Sequence, residues 1–142
     1  MEITHDYIRG LIEGEGCFTF CKNGRKSKIP AFSIGMSVKD FSLLTKVRDK
    51  LRLRNRVYKY EPRERADGYV RMGMSILMVR DLGQLKNIII PLCYKKLVGN
   101  KRIQLEDWVS KIRLDDNIPE SYKIIPLLVK NGYYDKNFNS FM

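Results

Sequence analysis

Histidine is nearly missing from this chain: His5 is the only one in 142 residues. A Ser-His-Asp or Cys-His centre would have to run on that single imidazole, and a zinc site would lack its usual second nitrogen ligand. Cysteine is scarce too. Cys17, Cys21 and Cys93 are an odd number with no metal-type spacing, the pattern of free thiols in a reducing, intracellular compartment. No apolar run approaches the roughly 20 residues a membrane-spanning helix needs, and Met1 to Asp6 is too polar for a signal segment, so no membrane association is expected. Acidic residues are outnumbered: 16 Asp and Glu face 27 Lys and Arg, a formal net charge of +11. A surplus that large points to a polyanion as partner. The length suits one domain with a core of its own.

The residues present are organised around Ile8 to Gly16, IRGLIEGEG. Thr4 is placed to cap a helix there, with Asp6 in its first turn. Gly10 and Gly14 are four apart and share one face. Each costs roughly 1 kcal/mol against Ala in a helix interior, so the pair asks for a reason, and close approach of another backbone is one. Gly16 suits a left-handed C-cap. Glu15 then lies on the last turn, where the helix dipole disfavours a carboxylate; it is poorly placed for helix stability and well placed to hold a cation.

From Cys17 the pattern alternates. Phe18 and Phe20 take one face of a strand, Cys17, Thr19 and Cys21 the other. Asn23-Gly24 marks a turn, and the second strand, about Ile29 to Lys39, sets Phe32, Ile34, Met36 and Val38 against Ala31, Ser33, Gly35 and Ser37. Asp40 can cap a helix from Phe41 to Leu51 with Leu43, Leu44, Val47 and Leu51 on one stripe. A second hairpin pairs Arg56–Glu61 with Tyr69–Leu77 around Glu64–Gly68. Its returning strand is expected to turn Val70, Met72, Met74 and Ile76 inward and Tyr69, Arg71, Gly73 and Ser75 outward. Asp81 can cap a third helix ended by Pro91, and a fourth spans about Asn100 to Ile112. The prediction is an α+β fold in the order α-β-β-α-β-β-α-α, one four-stranded antiparallel sheet with helices on its apolar face. The domain covers residues 1–114, with 115–142 as a C-terminal extension.

IRGLIEGEG, followed at once by a strand, resembles the signature of the LAGLIDADG homing endonucleases. Gly10, Leu11, Ile12 and Gly16 match it, Glu13 and Glu15 stand at its two acidic positions, Gly14 replaces an alanine, and Arg9 departs from a small residue. Lys86-Asn87-Ile88-Ile89-Ile90-Pro91 and Val98-Gly99-Asn100-Lys101-Arg102 also look like runs of that family. The resemblance covers roughly residues 4 to 112 and implies a homing-endonuclease-like half-domain. With one signature in the chain, it implies a homodimer through Ile8, Gly10, Leu11 and Gly14. The two Glu15 side chains then converge with a Gly14 carbonyl on Mg²⁺, or Mn²⁺ in its place, and Lys101 is the basic active-site residue. The implied reaction is hydrolysis of both strands of double-stranded DNA across the minor groove, leaving short 3′ overhangs at a long pseudo-palindromic target. Val38 occupies a position where the family often has Gln.

For the DNA surface the candidates are Thr19, Cys21, Asn23, Ser33, Ser37, Tyr58, Tyr60, Tyr69, Arg71 and Ser75 on the polar sheet face. Lys39 stands beside them, and Arg25, Lys26, Lys28, Arg63 and Arg65 lie at the hairpin ends, where phosphates are met. Two other readings remain: a LAGLIDADG-type protein that binds without cutting, as an RNA maturase or DNA-binding regulator, and an unrelated basic α+β binding domain. A pure binder needs neither Glu15 nor Lys101.

Overall fold

The computed structural model of the chain describes residues 2–135, the side chain of Arg71 excepted. The first helix, α1 (His5–Glu15), begins where the Thr4 hydroxyl accepts the Tyr7 N–H at 3.0 Å, and it buries Ile8 and Ile12, one turn apart. It passes into β1 (Gly16–Lys22) with no loop between. Gly16 is the joint, and it is not the left-handed cap expected: at φ −79° and ψ 158° it is extended. Glycine is needed there for space. A Cβ would stand 2.8 Å from the Ile12 carbonyl oxygen and 2.8 Å from its Cγ2.

β1 pairs antiparallel with β2 (Lys28–Ser37), Phe18 opposite Phe32. The turn between them holds Gly24 at φ +96°, a conformation glycine adopts without strain. A 3₁₀ turn, Val38–Asp40, leads into α2 (Phe41–Lys50), which buries Leu44 and Val47. β3 (Val57–Tyr60) and β6 (Met74–Val79) complete an antiparallel sheet in the spatial order β1-β2-β6-β3. The hairpin tip is a separate ribbon of β4 (Arg63–Glu64) and β5 (Val70–Arg71).

That ribbon changes the phase of the returning strand. In β6 it is Ser75, Leu77 and Val79 that are buried, while Met74 is exposed and Ile76 and Met78 are half-buried; the alternation read through from Tyr69 predicts the opposite. Leu77 stands opposite Ile34 of β2 and Val57 of β3, and directly opposed residues share a face. The core faces of the two neighbours therefore carry Leu77 inward. Met72 and Gly73 break the strand, so the ribbon's alternation is not transmitted across them.

Asp81 does cap the third helical segment, accepting the Gln84 N–H at 3.0 Å, but Pro91 does not end it. α3 (Leu82–Gln84) widens into a π-helical turn at Leu85–Ile89 and continues as α4 (Ile90–Cys93). The Ile90 N–H reaches back to the Leu85 carbonyl. This wider turn accommodates a proline that has no N–H and would crowd a regular α-turn.

α5 (Asn100–Leu114) lies along β1 and is tied to its backbone. The Phe18 N–H donates to the Gln104 side chain at 3.1 Å, and the Trp108 indole donates to the Thr19 carbonyl at 2.7 Å. The rings of Phe18, Phe32 and Trp108 meet at centroid distances of 5.2 and 5.4 Å. Residues after α5 form a 3₁₀ turn at Glu120–Lys123, α6 (Ile124–Lys130) and a last turn at Tyr133–Asp135. Lys123 donates to the Ile112 and Asp115 carbonyls, both at 2.6 Å, closing the end of α5, and Ile118, Ile125 and Tyr134 join the same core. The result is an α+β fold with helices packed on one face of a four-stranded antiparallel sheet.

Gly16→Ala is expected to lower stability by about 1–3 kcal/mol, because the added methyl meets backbone. Gly10→Ala is expected to leave stability unchanged or raise it by up to about 1 kcal/mol, since a Cβ there meets nothing within 4 Å. Thermal unfolding of both variants in dilute protein checks this; equal losses would contradict the packing described.

Candidate active site and nucleic-acid interface

Glu15 is the last residue of α1 and is exposed, and it has no hydrogen-bond or ion-pair partner among the described residues. Glu13 is held. Its carboxylate accepts the Val98 N–H at 2.7 Å and the Gly99 N–H at 3.2 Å. These two amides precede α5, whose N-cap, Gly99, has no side chain of its own to offer. Glu13 supplies the missing acceptor from a different helix. The bond holds the first turn of α5, which carries the half-buried Lys101, at the same end of the molecule as Glu15. The sequence reading gave Glu13 no role. The available signal was its spacing: residues two apart on a helix point in nearly opposite directions, so Glu13 and Glu15 cannot serve one purpose. Arg9, in place of a small residue, donates from Nε to the Leu92 carbonyl at 2.8 Å and pairs with Asp6 at 2.7 Å, clamping α1 onto α4.

On the outer side of α1, Gly10 and Gly14 are exposed with nothing within 4 Å of an added Cβ, and Leu11 is half-buried beside them. Ile8 does not belong to that face. It is 0% exposed and lies in the core, because it falls one turn from the equally buried Ile12.

The sheet's open face carries Cys17, Thr19 and Cys21 from β1, Ser33, Gly35 and Ser37 from β2, and Tyr58 and Tyr60 from β3. Ser75 is absent from it. At 0% exposure, it points into the core side and donates to the Ser37 carbonyl at 3.0 Å; the phase of β6 puts Met74 and Ile76 outward instead. Asn23, Arg25 and Lys26 are exposed in the β1–β2 turn, and Lys39 is exposed beside Ser37. Lys28 is engaged within the chain. Its ammonium pairs with Asp115 at 2.6 Å and lies 5.3 Å from the Phe20 ring centroid. That bond, aided by the Asn117 N–H, holds the Asp115 carboxyl below the usual range. Lys28 thus braces β2 against the end of α5. Arg63, Arg65 and Tyr69 are exposed around the ribbon, the Arg65 guanidinium 5.7 Å from the Tyr69 ring and 3.7 Å from Asp67. Arg71 pairs through its backbone with Arg63; its side chain lies outside the described residues.

Val38 donates its N–H to the Gly73 carbonyl at 3.1 Å, and its side chain stands where a Cβ on Gly73 would come within 2.8 Å. It therefore packs the end of the sheet. The described residues contain no group of three or more metal-ligating side chains and no helix long and apolar enough to cross a membrane. Among the described residues, the end of α1 offers a cation one unengaged carboxylate, Glu15, and the neighbouring helix-end carbonyls.

A model of the family described as LAGLIDADG endonuclease matches residues 8–112. Among solved structures, the fold is similar to that of the I-LtrWI LAGLIDADG homing endonuclease bound to target DNA, with 20% identity, a TM-score of 0.59, and coverage of 96% of this chain and 40% of that one. It is also similar to LAGLIDADG homing endonuclease I-GzeII in complex with a DNA target, with 24% identity, a TM-score of 0.59, and 96% and 46% coverage. The homing endonuclease I-TnaI gives 16% identity, a TM-score of 0.53, and 92% and 99% coverage. At these identities the likeness is one of fold. The chain spans less than half the length of the first two structures and nearly all of the third. No curated protein sequence matches it.

Glu13→Ala leaves the Val98 and Gly99 amides without their acceptor, so hydrogen exchange at both is expected to speed up about tenfold. Glu15→Ala removes an unpaired side chain and should leave both rates unchanged. NMR-detected exchange separates the two, and slow exchange persisting in Glu13→Ala would refute the anchoring role.

Proposed function

This chain belongs to the LAGLIDADG endonuclease family, and on that premise we propose that two copies pair through α1 to form a site-specific endonuclease that cuts both strands of double-stranded DNA. The observation that carries the proposal is the pairing of an unsatisfied carboxylate with an open helix face. Glu15 ends α1 with no partner among the described residues, and an added Cβ on the adjoining Gly10 or Gly14 would meet nothing within 4 Å. Close packing of a second α1 against that face brings a second Glu15 to the first. The length relation supports it, since I-LtrWI and I-GzeII are more than twice the length this chain covers on them.

Two carboxylates brought together repel unless a cation lies between them. A divalent metal, Mg²⁺ with Mn²⁺ able to substitute, fits a donor set of Glu15 carboxylates and Gly14 carbonyls, and when bound it supplies charge neutralisation and a more acidic bound water. Glu15 holds that charge at the scissile phosphate. Lys101, fixed through the Glu13 anchor, sets an ammonium where negative charge grows on the phosphoryl oxygens in the transition state. The open sheet face enters the major groove, and the exposed cations at its ends, Arg25 and Lys26 on one side and Arg63 and Arg65 on the other, meet the phosphates. Hydrolysis across the minor groove at a long pseudo-palindromic site, leaving short 3′ overhangs, completes the reading. The competing reading, a DNA or RNA binder without cleavage, is favoured by one observation: Val38 is committed to packing on Gly73 and offers no polar group.

Cleavage of a randomised duplex library in Mg²⁺, read by end sequencing, tests the proposal. Glu15→Gln is expected to abolish cutting of both strands while DNA affinity stays within about threefold, and Ca²⁺ should support binding with little cutting. Gly14→Leu should weaken self-association and cutting together, as seen by sedimentation. Cutting that survives chelation, or a Glu15→Gln variant that cuts normally, would sink the metal assignment. Specific binding without cutting under every condition would leave the binder reading.

A further inference from the structure

The phase of β6 divides the open sheet face in a way the sequence did not show. Residues opposed across strands share a face, so the register sets rows: Ser33 beside Met78, Gly35 beside Ile76 and then Tyr58, Ser37 beside Met74 and then Tyr60. The β1–β2 half is small and polar. The β6–β3 half is thioether, alkyl and phenol. Met74 is 40% exposed, Tyr58 42% and Tyr60 55%. Gly35 lets this half spread. A Cβ there would stand 3.6 Å from the Met74 methyl and 4.0 Å from Ile76 Cγ1, so both side chains lean over the bare backbone of β2. A groove of about 690 Å³ continues the surface toward the ribbon, with Met72, Met74 and Ile76 in its lining and Lys59 and Arg63 beside them.

We propose that the β6–β3 half of this face reads thymine methyl groups, so that the base pairs lying over Met74, Ile76 and Met78 are A·T pairs. The proposal rests on the DNA-endonuclease reading above and adds what the sheet selects. In the major groove every base-pair edge is a row of donors and acceptors except for one apolar feature, the C5 methyl of thymine. Ile has no hydrogen-bonding group, and Met has only a weak sulfur acceptor. Pressed against the edge of a G·C pair, they would strip water from its polar atoms and return nothing. Against a thymine methyl the same contact buries apolar surface on both sides. An apolar protein partner is the other occupant such a surface could suit, but its border favours DNA. Arg56 stacks its guanidinium 5.8 Å from the Tyr58 ring, and the exposed Arg63 lies at the far end, cations that a phosphate backbone requires.

The test uses the duplex that the wild-type chain selects, with binding measured in Ca²⁺ as each thymine in turn is replaced by uracil, which removes the methyl and nothing else. Affinity is expected to fall about fourfold per methyl at a cluster of positions in each half-site and to stay unchanged elsewhere. Met74→Ser and Ile76→Ser, made separately so that one misfolded variant does not void the test, should each erase the uracil penalty at one or two of those positions. Specific binding indifferent to uracil at every position overturns this inference and leaves the endonuclease reading standing. Penalties that persist in both folded variants also overturn it, as does loss of self-association without any uracil effect. Failure to bind any duplex specifically overturns the functional reading and this inference with it.

Discussion

The contact between Gly16 and Ile12 is the joint on which the rest of the molecule turns. With a Cβ excluded by the Ile12 carbonyl, α1 can stop and β1 can start within one residue, and no loop separates helix from sheet. That junction decides where Glu15 sits, because its backbone ends the helix and adjoins the first residue of the strand. It also sets the phase of β1, so that Phe18 meets Phe32 and Trp108 while Cys17 and Thr19 turn to the open face. A longer connection would uncouple the carboxylate from the sheet that is proposed to hold DNA.

Two carboxylates two residues apart meet opposite electrostatic fates. Glu13 lies at the N-terminus of α5, where free amides and the helix dipole welcome a negative charge. Glu15 lies at the C-terminus of α1, where the dipole opposes it and no cation among the described residues relieves it. The fold is stabilised by the first and gains nothing from the second. A charge kept where it does not serve stability is the kind of exception that functional sites show. The surface ion pairs elsewhere are mostly exposed and contribute little each. The Lys28–Asp115 pair differs in kind, because it comes with the Lys28 N–H bonded to the Asn117 carbonyl and so fastens the far end of the sheet to the segment after α5.

The open face shows how an apolar surface can survive on a basic chain. Its inward-facing counterpart is filled by Phe32, Ile34, Leu77 and Val57, and the strand that supplies Leu77 is apolar at nearly every position. Turning one set of its side chains inward leaves the other set, Met74, Ile76 and Met78, outward. The cost of exposing the first two is lowered by Gly35, over which Met74 and Ile76 lie.

Local patterns in the chain determined a good deal. Thr4 and the IRGLIEGEG run pointed to α1, the Phe alternation to β1 and β2, and the apolar stripe to α2. The α+β order with a four-stranded antiparallel sheet followed from these, and the family resemblance drew attention to Glu15 and Lys101. Each of these signals lies within a few residues of what it predicts. Tertiary structure decided the rest. Met74–Val79 is apolar at almost every position, so its phase could be set only by the strands on either side. Glu13 found its partners more than eighty residues away, Lys28 found Asp115 across the fold, and Ser75 was drawn inside by register. Gly16 was legible as a necessary glycine but not for its reason, since the atoms that exclude a side chain belong to Ile12, a full turn earlier. Pro91 read as a stop because the local rule assumes an α-turn, and a π-turn removes the clash on which that rule depends. Sequence specifies what a segment can form by itself; which face it shows and which partner it holds depend on contacts that exist only once distant segments meet.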